Sequence, residues 1–203
     1  MTKPNQVDKE LAYLTIKTPV RLAYRSLTEK DVEAAKVKWK ANAIRYEATV
    51  LLESDLYKTV SAQAVAVAGA AWPGRDLKEL DWEHLFVNGT KIADAAAADG
   101  KDHLEYQRGK ILFKTSTNKA PTFGKFLGGG NFQNNVSPDI FYRGCSVVLS
   151  VGLRAMEPTK KTDKDFVKAY LNDLTFVRDG ERLGGGDAAA RYGEIEGVTT
   201  DEN

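Results

Sequence analysis

What most limits the folds open to this chain is a set of short segments in which apolar and polar residues alternate. The clearest is residues 141–155, where Val147, Leu149, Val151 and Leu153 share one phase and Ser146, Ser150, Gly152 and Arg154 the other. A period of two sends alternate side chains to opposite faces of an extended backbone, so it marks a half-buried β-strand. Residues 14–24 repeat the pattern, with Ile16, Val20, Leu22 and Tyr24 opposite Lys17 and Arg21, and Pro19 marking an edge or a bend. In residues 44–52, Tyr46, Ala48, Val50 and Leu52 oppose Arg45, Glu47 and Thr49. In residues 110–116, Ile111 and Phe113 oppose Lys110, Leu112 and Lys114. Residues 170–178 form the last strand, closed by a turn at Asp179-Gly180.

Between the strands, Ser54 reads as a helix N-cap with Asp55 at the positive helix end, followed by an Ala- and Val-rich helix over 56–71. Trp72-Pro73-Gly74 ends it. The charged connection before residue 44 leaves room for a short helix and closes on Lys36, Lys38, Trp39 and Lys40. Residues 75–107 are the least legible, with a short helix expected over 79–87 and a loop at ADAAAADGKD. After the strand at 110–116 the chain is expected to run as a Gly-rich loop to Phe132. The pattern therefore predicts a mainly β chain with one or two helices. Antiparallel strands, five in number and closing on themselves, suggest a small barrel of the oligonucleotide/oligosaccharide-binding (OB) type.

The 203 residues, 42% hydrophobic and 28% charged, are ordinary for one soluble domain with a tail. The organisation expected is a flexible N-terminus over 1–13, the barrel domain over 14–183, and a Gly-rich linker with a disordered acidic tail over 184–203. No apolar run is long enough to span a membrane and the polar first residues lack a signal-peptide core, so a cytoplasmic protein is expected. Cys145 is the lone cysteine, which precludes an internal disulfide.

The net charge of +1 conceals an asymmetry. Residues 187–203 carry five acids and one arginine, a net −4, which leaves +5 on residues 1–186. A basic body with an acidic end points to a nucleic-acid binder. The stretch from Arg108 to Phe132 (RGKILFKTSTNKAPTFGKFLGGGNF) sharpens that reading, since it mixes Lys110, Lys114, Lys119 and Lys125 with Phe113, Phe123, Phe126 and Phe132 and contains no acid. Cations for phosphates beside flat rings for unstacked bases are what single-stranded nucleic acid requires. The expected phosphate contacts are Lys17, Lys40, Arg21, Arg45, Lys110, Lys114, Lys125 and Arg143; the expected base contacts are Trp39, Tyr46, Phe113, Phe123, Phe126, Phe132 and Tyr142. Gly128-Gly129-Gly130 would let the loop close over a strand. The tail acids Glu194, Glu196, Asp201 and Glu202 are expected to compete for the basic face or to meet a partner protein.

The order TPVRLAYRSL, RYEATVLLESD with its helix, FYRGCSVVLSVGLRAME, LNDLTFVRDGERLGG and an acidic end resembles the phage single-stranded-DNA-binding proteins classed under DUF2815, over most of residues 16–186. That resemblance implies an OB-fold core, sequence-independent binding of single-stranded DNA, a place in phage replication or recombination inside an infected bacterial host cell, and partners among phage or host replication proteins. Many such proteins end on an apolar residue that docks on partners, whereas this chain ends Asp201-Glu202-Asn203. A monomer or weak homodimer is expected, with no membrane association.

Other chemistry finds little support. Cys145, His84 and His103 are too few and too far apart for zinc, and no metal or cofactor is expected. A P-loop needs Ser or Thr after its lysine, where Lys125 is followed by Phe126. There is no serine-hydrolase elbow. Two rivals stand beside the binder, which is expected not to be an enzyme. One is a Mg²⁺-dependent phage nuclease built on Asp139, which lacks the later acidic-x-Lys such a site requires. The other is a phage structural or protein-interaction module.

Overall fold

The computed structural model describes residues 4–39, 45–158 and 163–183. Eight strands, β1 (Tyr13–Ser26), β2 (Tyr46–Leu52), β3 (Phe86–Asn88), β4 (Ile111–Thr117), β5 (Thr122–Gly128), β6 (Asn131–Asn134), β7 (Ser146–Met156) and β8 (Phe166–Arg178), form one sheet. Helices α1 (Lys9–Ala12), α2 (Glu29–Trp39), α3 (Ser54–Ala71) and α4 (Gly89–Ala98) accompany them among the described residues.

The strands expected from alternation close into the barrel. β1 pairs with β2 and β7, β2 with β4, and β7 with β8, all antiparallel, while Thr115 of β4 meets Ala169 of β8 in a parallel seam. This is the five-stranded OB barrel, except that the seam that closes it is parallel where only antiparallel pairs were expected. Its interior holds the alternate apolar residues, among them Ile16, Leu22, Val50, Leu52, Phe113, Leu149 and Leu153, each 2% exposed or less. α3 caps the barrel with Val60, Ala64, Val67, Ala68 and Ala71, a helical stripe of small residues that lets the backbone lie close.

Two breaks in alternation redirect side chains. A bulge between Leu22 and Tyr24 buries Ala23 on the outer wall and turns Tyr24 out of the phase of Leu22, against expectation. Ala23 joins Leu51, Leu112 and Leu183 in a second small core that also packs Ile92 of α4 and Tyr106. Around Pro19 the β1–β7 register shifts, as a proline bend requires.

Several local expectations are corrected. The 79–87 segment is not a helix but 3₁₀ turns at Leu77–Glu79 and Trp82–His84 leading into β3. ADAAAADGKD is not a loop: its alanines complete α4, capped by Asn88 through the Thr90 and Lys91 amides. Gly89 opens α4 where a Cβ would come within 2.2 Å of the Gln107 carbonyl, so no larger residue fits. Ser54 is the first helical residue of α3, and Glu53 stands at the cap with no side-chain bond to the helix amides. Residues 141–145 precede β7 as turns, and β8 starts four residues earlier than expected, at Phe166.

The Gly-rich stretch is an ordered hairpin. β5 runs parallel to β8, with Thr122 opposite Asp173 and Lys125 opposite Phe176, and β6 folds back on it. Gly129 and Gly130 sit at φ 57° and 81°, the positive values that a two-residue hairpin turn imposes at both central positions. The glycine run thus makes a turn, where a closing lid was expected.

Candidate nucleic-acid interface

The expected site residues separate into four groups. Arg21, Arg143 and Tyr142 hold backbone together. Arg21 donates from Nε to the Gly144 carbonyl at 3.4 Å and from Nη2 to the Glu181 carbonyl at 2.6 Å. Arg143 donates from Nε to the Ala23 carbonyl at 2.9 Å and from Nη2 to the Tyr106 hydroxyl at 3.0 Å, with its guanidinium 5.0 Å above the Tyr24 ring. The Tyr142 hydroxyl accepts from the Gly180 amide at 2.9 Å and lies 2.9 Å from the Asp179 carboxylate. Arg21 and Tyr142 thereby pin residues 179–181 against the barrel, and the Arg143 backbone carbonyl accepts from the Leu183 amide at 3.0 Å. Lys110 is paired with Glu53 beside α3. The shared phase of Lys17, Arg21, Lys110 and Lys114 therefore does not produce one cationic face.

The second group is interior. Phe113 is 0% exposed and stacked 5.6 Å from Phe86, which corrects its expected base contact: the inward phase of β4 carries it into the core. Phe123 is half-buried, 5.5 Å from Phe141. Tyr46, opposite Thr117 at the start of β2, is also half-buried.

The third group lines a cleft of about 250 Å³ on the outer wall where β2, β4 and β8 meet. Arg45, Glu47 and Thr49 come from β2's outward phase, Lys114 and Ser116 from β4's, and Lys168 from β8's, with His84 and Phe166 at one side. Three cations and one carboxylate thus line the cleft, and Arg45 already holds that carboxylate, with Nε 2.7 Å from Glu47 Oε1, while Asp81 and Glu83 stand close enough to act on Lys114. Partial burial pushes the Lys114 ammonium below its ordinary pKa, the charge of Arg45 adds to this, and Asp81, Glu83 and Glu47 oppose it. Lys168 is lowered in the same way, by burial first and Arg45 second. The His84 and Phe166 rings stack 4.1 Å apart at 27°. Arg75 bonds the buried Asp165, whose carbonyl accepts from the Asp81 amide at 2.8 Å, so this ring pair is tied down from both sides. The wall can offer partly dehydrated positive charge beside flat rings.

The fourth group sits on the hairpin. Phe126 and Phe132 lie 5.1 Å apart, and Phe132 is 58% exposed. With Lys17, Pro19 and Val177 they line a largely apolar groove of about 410 Å³, and Lys125 stands half-buried on the same strand. The hairpin pairs with residues 173–176 of β8 and the cleft uses 166–169, so the two surfaces are on the order of 20 Å apart along that strand.

The side chain of Trp39, Lys40, and the tail acids Glu194, Glu196, Asp201 and Glu202 lie outside the described residues. Lys168, His84 and Phe166 were missed by sequence reasoning. Val167, Ala169 and Leu171 do alternate with Lys168 and Tyr170, a signal that would have extended the last strand to take in Phe166 and Lys168; His84, in the turn at 82–84, had no such signal. Among the described residues no cluster of three or more His, Cys, Asp or Glu is placed to hold a metal, and no helix is long and apolar enough to cross a membrane. Asp139 accepts from the Ser137 hydroxyl at 2.8 Å within the 138–140 turn.

Similarity to solved structures is extensive although sequence identity is low. The single-stranded-DNA-binding protein of bacteriophage Enc34 superposes with a TM-score of 0.57 at 15% identity, over 94% of this chain and 98% of that one. The same protein in complex with single-stranded DNA gives 0.55 at 17% identity, over 90% and 98%. The single-stranded-DNA-binding protein gp2.5 of bacteriophage T7 gives 0.54 at 15% identity, over 92% and 97%. The likeness in fold extends over nearly the whole of each chain. No family model and no curated protein sequence matches this chain.

Proposed function

We propose that this chain is a non-enzymatic, sequence-independent single-stranded-DNA-binding protein of phage replication or recombination, akin to the DUF2815 proteins its sequence resembles. The observation that carries this reading is the cleft lined by Arg45, Lys114 and Lys168, with its one lining carboxylate, Glu47, already engaged by Arg45, beside the His84–Phe166 stack. A phosphate placed there relieves the repulsion among three cations, and the ring pair and the hairpin phenylalanines supply faces for bases. In sequence, 27–45 and 157–165 are rich in lysine. The overall likeness to phage proteins that bind single-stranded DNA supports the same reading. The deciding experiment titrates labelled oligo-dT, oligo-rU and duplex DNA at two salt concentrations. Tight, salt-sensitive binding of oligo-dT over duplex supports the proposal; no shift of oligo-dT at low salt defeats it, and cleavage in Mg²⁺ would replace it with the nuclease.

The lysine shifts give a pH signature. Between their lowered pKa values and the ordinary 10.5, the unfolded chain holds more protons than the folded one, so stability rises with pH through that window. A bound phosphate favours the charged lysines, so binding takes up protons in the same window and affinity falls as pH rises through it. Affinities for oligo-dT measured from neutral pH to about pH 10 check this. A flat profile would remove both lysines from the contact.

The acidic segment enters as a competitor for the cationic wall and as the part that meets replication partners. Removing residues 184–203, which takes away a net −4, should tighten oligo-dT binding at low salt and leave it unchanged at high salt, where screening silences the competition. Equal affinities at low salt would end that idea.

A further inference from the structure

On the outer wall of β7 and β8, next to the cleft, two features that each cost stability coincide. Arg154 and Lys168 are direct cross-strand partners, a like-charge pairing that destabilises a sheet, and neither has an ion-pair partner among the described residues. Both lean on one ring: the Arg154 guanidinium lies 5.3 Å and the Lys168 ammonium 4.5 Å from the centre of Tyr170. One step along, Gly152 sits mid-strand opposite Tyr170 on one side and Tyr13 on the other. Glycine weakens a strand interior and often marks a place where another group comes close to the backbone. A Cβ there would meet nothing nearer than 3.9 Å, so internal packing does not demand the glycine. Tyr13 is 51% exposed.

Of these residues Tyr13, Gly152 and Arg154 line a hollow of about 680 Å³ walled by the N-terminal arm, with Lys9 and Asn172 also on its surface and no acidic residue in its lining; Lys168 and Tyr170 stand beside it. That volume lies within the ordinary range of ligand sites, roughly 300–1,000 Å³. Asp173, further along β8, is engaged by the Ser150 hydroxyl. Lys168 belongs both to the cleft and to the Tyr170 cluster, so the two positive surfaces are continuous.

We propose that this outer wall of β7–β8 is a second nucleotide subsite, in which Arg154 and Lys168 share a phosphate and the bare backbone at Gly152 seats a base against Tyr13. It rests on the proposed binding of single-stranded DNA and gives the strand a direction: across β2, β4, β8 and β7, transverse to the barrel strands. The neighbouring arm supplies Lys9 at the far side of the hollow.

Anisotropy titrations with oligo-dT of about 4 and about 16 nucleotides, the limits of OB-fold site size, separate the two surfaces. Arg154→Ala, at an exposed position, should weaken the long oligonucleotide by about fivefold or more, and should lower its log K against log salt slope by about 0.7, one phosphate's worth. The short oligonucleotide should bind as before. Gly152→Val, which fills the floor, should repeat the length-dependent loss; if it folds poorly, Arg154→Ala decides alone. Unchanged long-oligonucleotide binding and slope in Arg154→Ala would overturn the subsite, and so would equal losses at both lengths. Lys114→Ala is the separate control: if it leaves both lengths untouched, the cleft reading fails whatever Arg154 does.

Discussion

Reversing Lys114 and Lys168 together to glutamate is expected to lower affinity for oligo-dT by about a hundredfold or more at low salt. Hydrogen bonds to charged groups are worth roughly 1.5–3 kcal/mol each, and two of them lost amount to a factor of about 100 at the least. The slope of log K against log salt should fall by about 1.4, since each phosphate contact on a single strand contributes about 0.7. The substitution should leave the barrel interior in place, since both side chains belong to the outward phases of β4 and β8. Arg21 and Arg143 are the informative contrast. Both are cations on the same barrel, yet both are spent on carbonyls of other segments, so Arg143→Ala should loosen the fold and leave the salt slope alone. A double reversal that binds like the parent would show the cleft to be idle.

The second large effect is on stability. Phe113→Ala should cost about 3–5 kcal/mol, the usual range for deleting a fully buried phenylalanine. In a chain of this size that lowers Tm by roughly 6–20 °C. Phe113 is 0% exposed and its ring stacks on Phe86, so the loss is a cavity between β3 and β4 at the heart of the barrel. Affinity for oligo-dT per folded molecule should not change. Thermal melts and titrations of one preparation measure both quantities. A variant that melts normally and binds poorly would return Phe113 to the interface and dismantle the phase argument for β4.

That contrast between Lys114 and Phe113, neighbours in sequence, shows what kind of information alternation holds. It says correctly that the two point to opposite faces of β4. It does not say which face of the barrel is covered: Leu112 shares the phase of Lys114 yet is buried, because α4 and the turn at 102–107 lie over that part of the wall. The helix itself was legible in the alanine run of 93–98, since alanine is the strongest helix former, but short polar neighbours made the segment read as a loop. The hairpin at 122–134 was obscured for the opposite reason: glycines that look like a flexible loop are the residues a tight two-residue turn needs.

By itself the sequence determined the barrel strands, the helix α3 that caps them, and the basic body with its acidic end. Those properties depend on residues near one another in the chain, where a period of two or a run of like charge suffices. Only the tertiary structure decided which cations lie together. The parallel seam at Thr115 and Ala169 sets Lys114 beside Lys168, 54 positions apart in the numbering, and the bulge in β1 commits Arg143 to the Tyr24 ring. Strand pairing is a contact between distant segments, and local periodicity is the same whichever neighbour a strand takes.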